Sequence, residues 1–275
     1  MEIRSILFPT DFSEPASRAL DHALVLAHHF GTKLTLLHVE TPYESDPANP
    51  RHEFPEPGEL FTRFRGQSTD RLAGTEPPVR QEDIEIEEVV LRGISAAREI
   101  LAYADENRVD MILMGTHGRG AIGHFILGST TERVVHGALV PVLTIQHGED
   151  RFVAKGGRYE KVLIPVDFSE ASRKALEYGV EIAGRFGSEL ELVHVIEPVL
   201  APQALFAGGA SPVAIDPDIR QRSRTALADF AGDLLPERYE FLLKSGRPHH
   251  EIISTIRERN CDLLIIANQG WNALD

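Results

Sequence analysis

The chain has 275 residues, with 28 Lys and Arg against 42 Asp and Glu, a formal net charge of −14. That length suits two domains of about 140 residues, and a composition 42 % hydrophobic and 25 % charged excludes wholesale disorder. The acidic balance argues against a nucleic-acid partner held by phosphate neutralisation. The absence of a run of about 18 apolar residues argues against membrane insertion, and the single Cys261 excludes an intramolecular disulfide or a cysteine-based zinc site.

The N-terminus, Met1-Glu2-Ile3-Arg4-Ser5, runs straight into an apolar stretch without a basic region or a cleavage site. No signal peptide is read there, and a cytoplasmic location is expected. Residues 1–150 carry 13 basic and 24 acidic side chains, so the acidity sits mainly in the first half, where it serves solubility.

Ser5–Pro9 is a short apolar run, as expected of a buried parallel strand. Ser13 then has the place of an N-cap and Pro15 that of a first-turn proline. Ala19, Leu20, Ala23, Leu24, Leu26, Ala27 and Phe30 recur at helical spacing, and Gly31 stops the helix. Lys33–Val39 reads as a second strand. The proline-rich stretch Thr41–Asp83 is expected to hold one helix, around Glu59–Ala73. Glu85–Leu91 is a third strand. Gly93 and Ser95 precede a helix through about Asn107. Asp110–Met114 and Val140–Ile145 are the fourth and fifth strands, and His147–Arg158 has the glycines and charges of a linker.

The pattern then repeats. Ile6-Leu7-Phe8-Pro9-Thr10-Asp11-Phe12-Ser13-Glu14 returns as Val162-Leu163-Ile164-Pro165-Val166-Asp167-Phe168-Ser169-Glu170, at an offset of 156. The offset holds without a gap from Ile6 to Pro42, with 16 identities in 37 positions, which makes the chain two copies of one domain. Strands alternating with helices predict parallel βαβ units, so each copy is read as a doubly wound α/β domain. The domains are placed at residues 1–147 and 158–275, with a linker at 148–157. Ligands of such sheets sit beyond the carboxyl ends of the strands, at the topological switch point.

The first copy carries its chemistry there. Met114-Gly115-Thr116-His117-Gly118-Arg119-Gly120 ends the fourth strand, and nine residues separate Gly118 from Gly128, which precedes Ser129, Thr130, Thr131 and Glu132. Gly115 and Gly118 permit positive φ and close backbone approach. Gly128-Ser129 opens a helix whose free N–H groups favour an anion, and Ser129 and Glu132 have capping-box spacing. Two sets of backbone donors held apart by one loop suit a polyphosphate. Asp11 is placed either to accept ribose hydroxyls or to cap the following helix. Val39 is either a base-edge contact through its backbone or a core residue. His117 and Arg119 are the nearest cationic groups for phosphate, or else solvated loop residues. His28-His29 and His249-His250 are adjacent pairs that share no helix face, and His38 and His194 are read as packed core residues.

Pro9-Thr10-Asp11-Phe12-Ser13, together with Gly-x2-Gly-x9-Gly-Ser at Gly115, Gly118, Gly128 and Ser129, resembles the universal stress protein family, in its ATP-binding branch. The resemblance implies a five-stranded sheet of order 3-2-1-4-5 and an adenine-nucleotide ligand, ATP or a relative. It implies that Pro9, Thr10 and Asp11 approach the nucleotide and that the Val39 backbone contacts adenine. It further implies that Met114, Gly115, Gly118, Gly128, Ser129 and Thr130 surround ribose and phosphates, with Mg2+ or Mn2+ on the phosphates. A regulatory role in stress resistance and a homodimer joined by fifth strands follow from the same resemblance. Efficient phosphoryl transfer wants metal ligands, cationic clamps and a group orienting the nucleophile, and beyond Asp11 and Arg119 no such set is visible. Binding without fast turnover is therefore expected, with a slow ATPase or phosphotransferase as the alternative.

The second copy departs from this pattern. Leu263-Leu264-Ile265-Ile266 leads to Ala267-Asn268-Gln269-Gly270, so Ala267 replaces the first glycine and Val166 stands where Thr10 does. The sequence stops at Asp275, before a third glycine, a last helix or a fifth strand. One nucleotide per chain is expected.

Overall fold

A computed structural model describes residues 3–41, 56–73, 75, 78–116, 127–146, 151–197 and 218–267. The chain divides into two compact units, Glu2–Gly157 and Arg158–Asp275.

In the first unit, β1 (Ser5–Pro9), β2 (Lys33–Glu40), β3 (Ile86–Arg92), β4 (Met111–Gly115) and β5 (Val142–Ile145) form one parallel sheet of order β3-β2-β1-β4-β5. Ile6, Leu7 and Phe8 of β1 are fully buried, which explains why that strand is a continuous apolar run rather than an alternating one. The chain goes from β1 outward to β2 and β3, then crosses back to β4 beside β1. The switch point therefore lies between the carboxyl ends of β1 and β4.

Helix α1 (Glu14–Phe30) begins as read from the sequence, with the Ser13 side chain accepting from Ala16 N at 3.4 Å, and ends on Gly31 at φ 62. Helix α2 (Pro57–Leu72) is tied to α1 through Arg71, and its Phe64 ring lies 6.3 Å from that of Phe8 in β1. The Arg71 guanidinium grips buried Asp21 at 2.5 and 3.0 Å and the Ser17 hydroxyl at 3.0 Å. Helix α3 (Ala96–Glu106) covers the other face, burying Ala97, Ile100 and Ala104 against Leu37, Val39 and Ile112. Helix α4 (Ser129–Gly137) lies beside it and buries Val134. The stretch read as a linker does more than connect. Residues Arg151–Ala154 form a helical turn, α5, and Phe152 is buried with its ring stacked on His22, centroids 4.5 Å apart.

The second unit repeats the plan with β6 (Lys161–Pro165), α6 (Glu170–Phe186), β7 (Glu189–Ile196), α7 (Ile219–Ala231), β8 (Glu240–Ser245), α8 (Pro248–Arg259) and β9 (Leu263–Leu264). Its parallel sheet has the order β8-β7-β6-β9, and no fifth strand occurs among the described residues. The Ser169 side chain caps α6 by accepting from Ser172 N at 3.1 Å, and Gly187 at φ 69 ends it, matching α1 at both ends.

At the opposite end of this sheet is a charged cluster. Glu191 of β7 is 2 % exposed and pairs with Arg259 at 2.9 Å and Lys161 at 3.3 Å. Arg259 also reaches Glu240 on the neighbouring strand. Cys261 lies against Glu191, and burial pushes its thiol up to about 12.

Candidate functional site

Beyond β1 the chain must turn from strand to helix within four residues. Phe12 makes the turn in the left-handed region, at φ 61, where a bulky side chain is strained. Several contacts hold it there. Phe12 N donates to Thr10 Oγ1 at 3.0 Å, and Ser13 N donates to Asp11 Oδ1 at 3.0 Å. The Phe12 ring lies 4.6 Å from the His38 ring and meets Phe61 and Phe64 of α2 edge-on at 5.0 and 5.5 Å. His38 is buried, and its Nδ1 donates to the Thr10 carbonyl at 2.9 Å, which fixes the tautomer. Of the two roles left open for Asp11, the local one is present: its carboxylate accepts a backbone N–H just ahead of α1.

Val39 likewise fills its bland role, buried in the core cluster under α3. Its peptide groups do something else. Thr10 N donates to Leu37 O at 2.8 Å on the β1 side, and Gly93 N donates to Glu40 O at 3.1 Å on the β3 side. Successive residues of a parallel strand address alternate neighbours, so Val39, two after Leu37, faces β1. The β1 ladder ends at the Pro9–Leu37 pair. The Val39 N–H and C=O therefore open onto the space beyond the end of β1, as an adjacent donor and acceptor.

Across the switch point, Met114 is buried and Gly115 closes β4. The first turn of α4 is tied to that strand end. Gly128 N donates to Thr116 O at 2.7 Å, and Thr131 Oγ1 donates to Gly115 O at 3.0 Å. Thr131 was not singled out from the sequence, though a third hydroxyl directly after Ser129-Thr130 was a visible signal. The N-terminal N–H groups of α4 have no intrahelical acceptor and open at the same end of the sheet.

Two local expectations are corrected. Ser129 is not the cap of a capping box: the N-cap is Gly128, at φ −59 and ψ 144, no side chain caps the helix, and Ser129 is its first residue. Gly115 does not use positive φ either. A Cβ there would meet the Pro15 carbonyl oxygen at 3.4 Å and Ala16 Cα at 3.6 Å, ordinary contact. Neither backbone angle nor packing among the described residues demands a glycine at 115. His117, Gly118 and Arg119 lie outside the described residues.

The site thus brings together Pro9, Thr10, Asp11, the Val39 peptide, Gly115, Gly128, Ser129 and Thr130 at the carboxyl ends of β1, β2 and β4. No group of three His, Cys, Asp or Glu suited to a metal occurs among the described residues. No helix among them is long and apolar enough to cross a membrane.

The sequence matches the Universal stress protein family over residues 2–146 and 158–275. A universal stress protein of Mycobacterium tuberculosis is 35% identical over 177 residues, 61% of this chain and 55% of that protein. One of Methanocaldococcus jannaschii is 27% identical over 145 residues, 52% of this chain and 82% of that protein. The crystal structure of a universal stress protein from Archaeoglobus fulgidus aligns with a TM-score of 0.63 at 20% identity, over 97% of this chain and 87% of its own, a likeness of fold.

Proposed function

The chain belongs to the universal stress protein family, and we propose that its first unit binds an adenine nucleotide, ATP or a relative, as a stress-response regulator with one working site. The observation that carries this reading is the pairing of two donor sets across the switch point. On one side, the Val39 N–H and C=O present the complement of an adenine edge. On the other, the α4 N-terminus, braced to β4 through Gly128 and Thr131, offers backbone N–H groups and a positive dipole end to phosphates. Ribose lies between them, beside Asp11 and Thr10. A glycine at 115 that neither φ nor packing requires is consistent with close approach by a ligand.

Mg2+ or Mn2+ would take most of its ligands from the phosphates, since the described residues hold no cluster of their own. The metal would neutralise phosphate charge. The protein's part is to orient the base and cradle the phosphates.

Calorimetry with ATP and magnesium on the full chain tests this. Wild type binds, and Gly118→Val weakens binding by about a hundredfold or more, as the glycine motif predicts when its second glycine gains a β-branched side chain. Equal affinities in the two proteins would end the assignment.

Two chains pair, in this proposal, through antiparallel β5 strands. β5 lies at the sheet edge, next to Leu139, which is 91 % exposed, and an apolar edge is a template for another strand. Pro141 lacks an N–H, which an edge tolerates. Sedimentation should find a dimer that Leu143→Lys dissociates. A monomeric wild type, or a dimer indifferent to that lysine, contradicts the pairing.

A further inference from the structure

We propose that the cleft between α7 and β8 in the second unit binds a compact carboxylic acid with an apolar body, of the acyl or aryl class. The cleft holds about 310 Å3 and is lined by Arg220, Gln221, Arg224, Phe241 and Leu243. Phe241 and Leu243, two residues apart, share one face of β8 and form an apolar floor. Arg220 and Arg224, four residues apart, share one face of α7 and stand over that floor with the Gln221 amide beside them. Floor and wall together are the complement of a molecule with an apolar body and an anionic head. The volume is at the small end for ligand pockets, which selects a compact acid over a long lipid.

The arginines are placed at a cost that an anion would offset. Neither forms an ion pair among the described residues, in a chain that has 42 acidic and 28 basic side chains. Like charges at this spacing repel. A carboxylate between the guanidiniums relieves that repulsion and gains charge-assisted hydrogen bonds.

The first unit supplies a control. Opposite Leu36, β3 carries Glu88, which accepts from Arg65 Nη1 at 3.0 Å. At the same sheet position, opposite Leu192, β8 carries Phe241. The carboxylate that answers an arginine in one copy is a phenyl ring in the other, and the ligand head would take its place. This site is independent of the nucleotide site in the first unit.

Titration calorimetry of the full chain with octanoate, 1-naphthoate and uncharged 1-octanol tests the proposal. At least one of the two acids saturates one site per chain, and octanol binds about tenfold or more weakly, the difference expected of charged hydrogen bonds. The double substitution Arg220→Gln with Arg224→Gln weakens the acid by a similar factor. Phe241→Glu, which gives β8 the carboxylate that β3 has, abolishes binding, and ATP affinity is unchanged in all variants. Failure of both acids to saturate at millimolar concentration overturns the proposal. So does octanol binding as tightly as the acid, or an acid affinity unmoved by the double substitution.

Discussion

In the first unit Pro9-Thr10-Asp11-Phe12-Ser13, and in the second Pro165-Val166-Asp167-Phe168-Ser169, turn from strand to helix in the same way. Phe12 and Phe168 are both left-handed, at φ 61 and 65. Asp11 and Asp167 both accept a serine N–H, at 3.0 and 2.9 Å. His38 and His194 both donate from Nδ1 to a strand-end carbonyl, at 2.9 and 2.7 Å, with the ring against the left-handed phenylalanine. Val195 also faces its neighbour strand as Val39 does, since Val166 N donates to Val193 O and Gly246 N to Ile196 O. The duplication thus separates two kinds of residue. What both copies keep is the turn and the open strand end. What differs is Thr10 against Val166, Gly115 against Ala267, and a helix α4 with no counterpart among the described residues of the second unit. Asp11, the residue most easily read as a ligand contact, belongs to the turn in both copies. The phosphate side of the proposed site distinguishes them.

The largest effect concerns Cys261, whose thiol burial pushes up to about 12. Its alkylation near pH 8 should be roughly a thousandfold slower in the folded chain than in urea, because so little thiolate is present. The sign of the linkage follows: the unfolded thiol ionises first, so the second unit loses stability as pH rises from about 8.5 towards 12. Equal rates with and without urea would show an accessible thiol.

The next effect compares the opposite ends of the two sheets. Arg259→Ala leaves Glu191 buried, facing Glu240 across the strands with only Lys161 in support. It should cost the second unit about 3 kcal/mol. Lys33→Ala removes an exposed partner of Glu87 in the first unit and should cost about 0.5 kcal/mol or less. Urea unfolding of both variants checks the ratio.

Smaller still is the difference between the two left-handed rings. Phe12 meets Phe61 and Phe64, and Phe168 meets Phe230 at 5.6 Å. Phe12→Ala should cost about 2 kcal/mol and Phe168→Ala about 1 kcal/mol, both below the fully buried range because each ring is half-buried. The smallest effect is at Thr131, where Thr131→Val removes the bond to Gly115 O. It should cost about 1 kcal/mol in thermal unfolding and weaken ATP several-fold by loosening α4.

The order of strands and helices was legible because the apolar runs and their punctuation were strong: Ser13 and Gly31 bound α1 as read, and Ser169 and Gly187 bound its twin. The internal repeat made the same point twice. Other features were hidden for physical reasons. A positive φ at Phe12 follows from tertiary contacts with His38, Phe61 and Phe64, and no propensity suggests it for phenylalanine. Glu191 is buried between Leu190 and Leu192 of β7, and its cations come from 30 residues before it and 68 after it in Lys161 and Arg259. Gly128 and Ser129 exchange the cap and first-helical positions, a one-residue shift that spacing does not resolve. Phe152 lies among glycines and charges that read as linker, yet it packs on His22.

A phosphate side present once per chain is tested most directly by the stoichiometry of ATP with magnesium on the full chain, by titration calorimetry. One site per chain is predicted, lost in Gly118→Val and unaffected by Asp167→Asn. Two equivalent sites would contradict the account by showing that the second unit binds without α4 or a glycine at 267, and no binding at all would contradict it in the first unit.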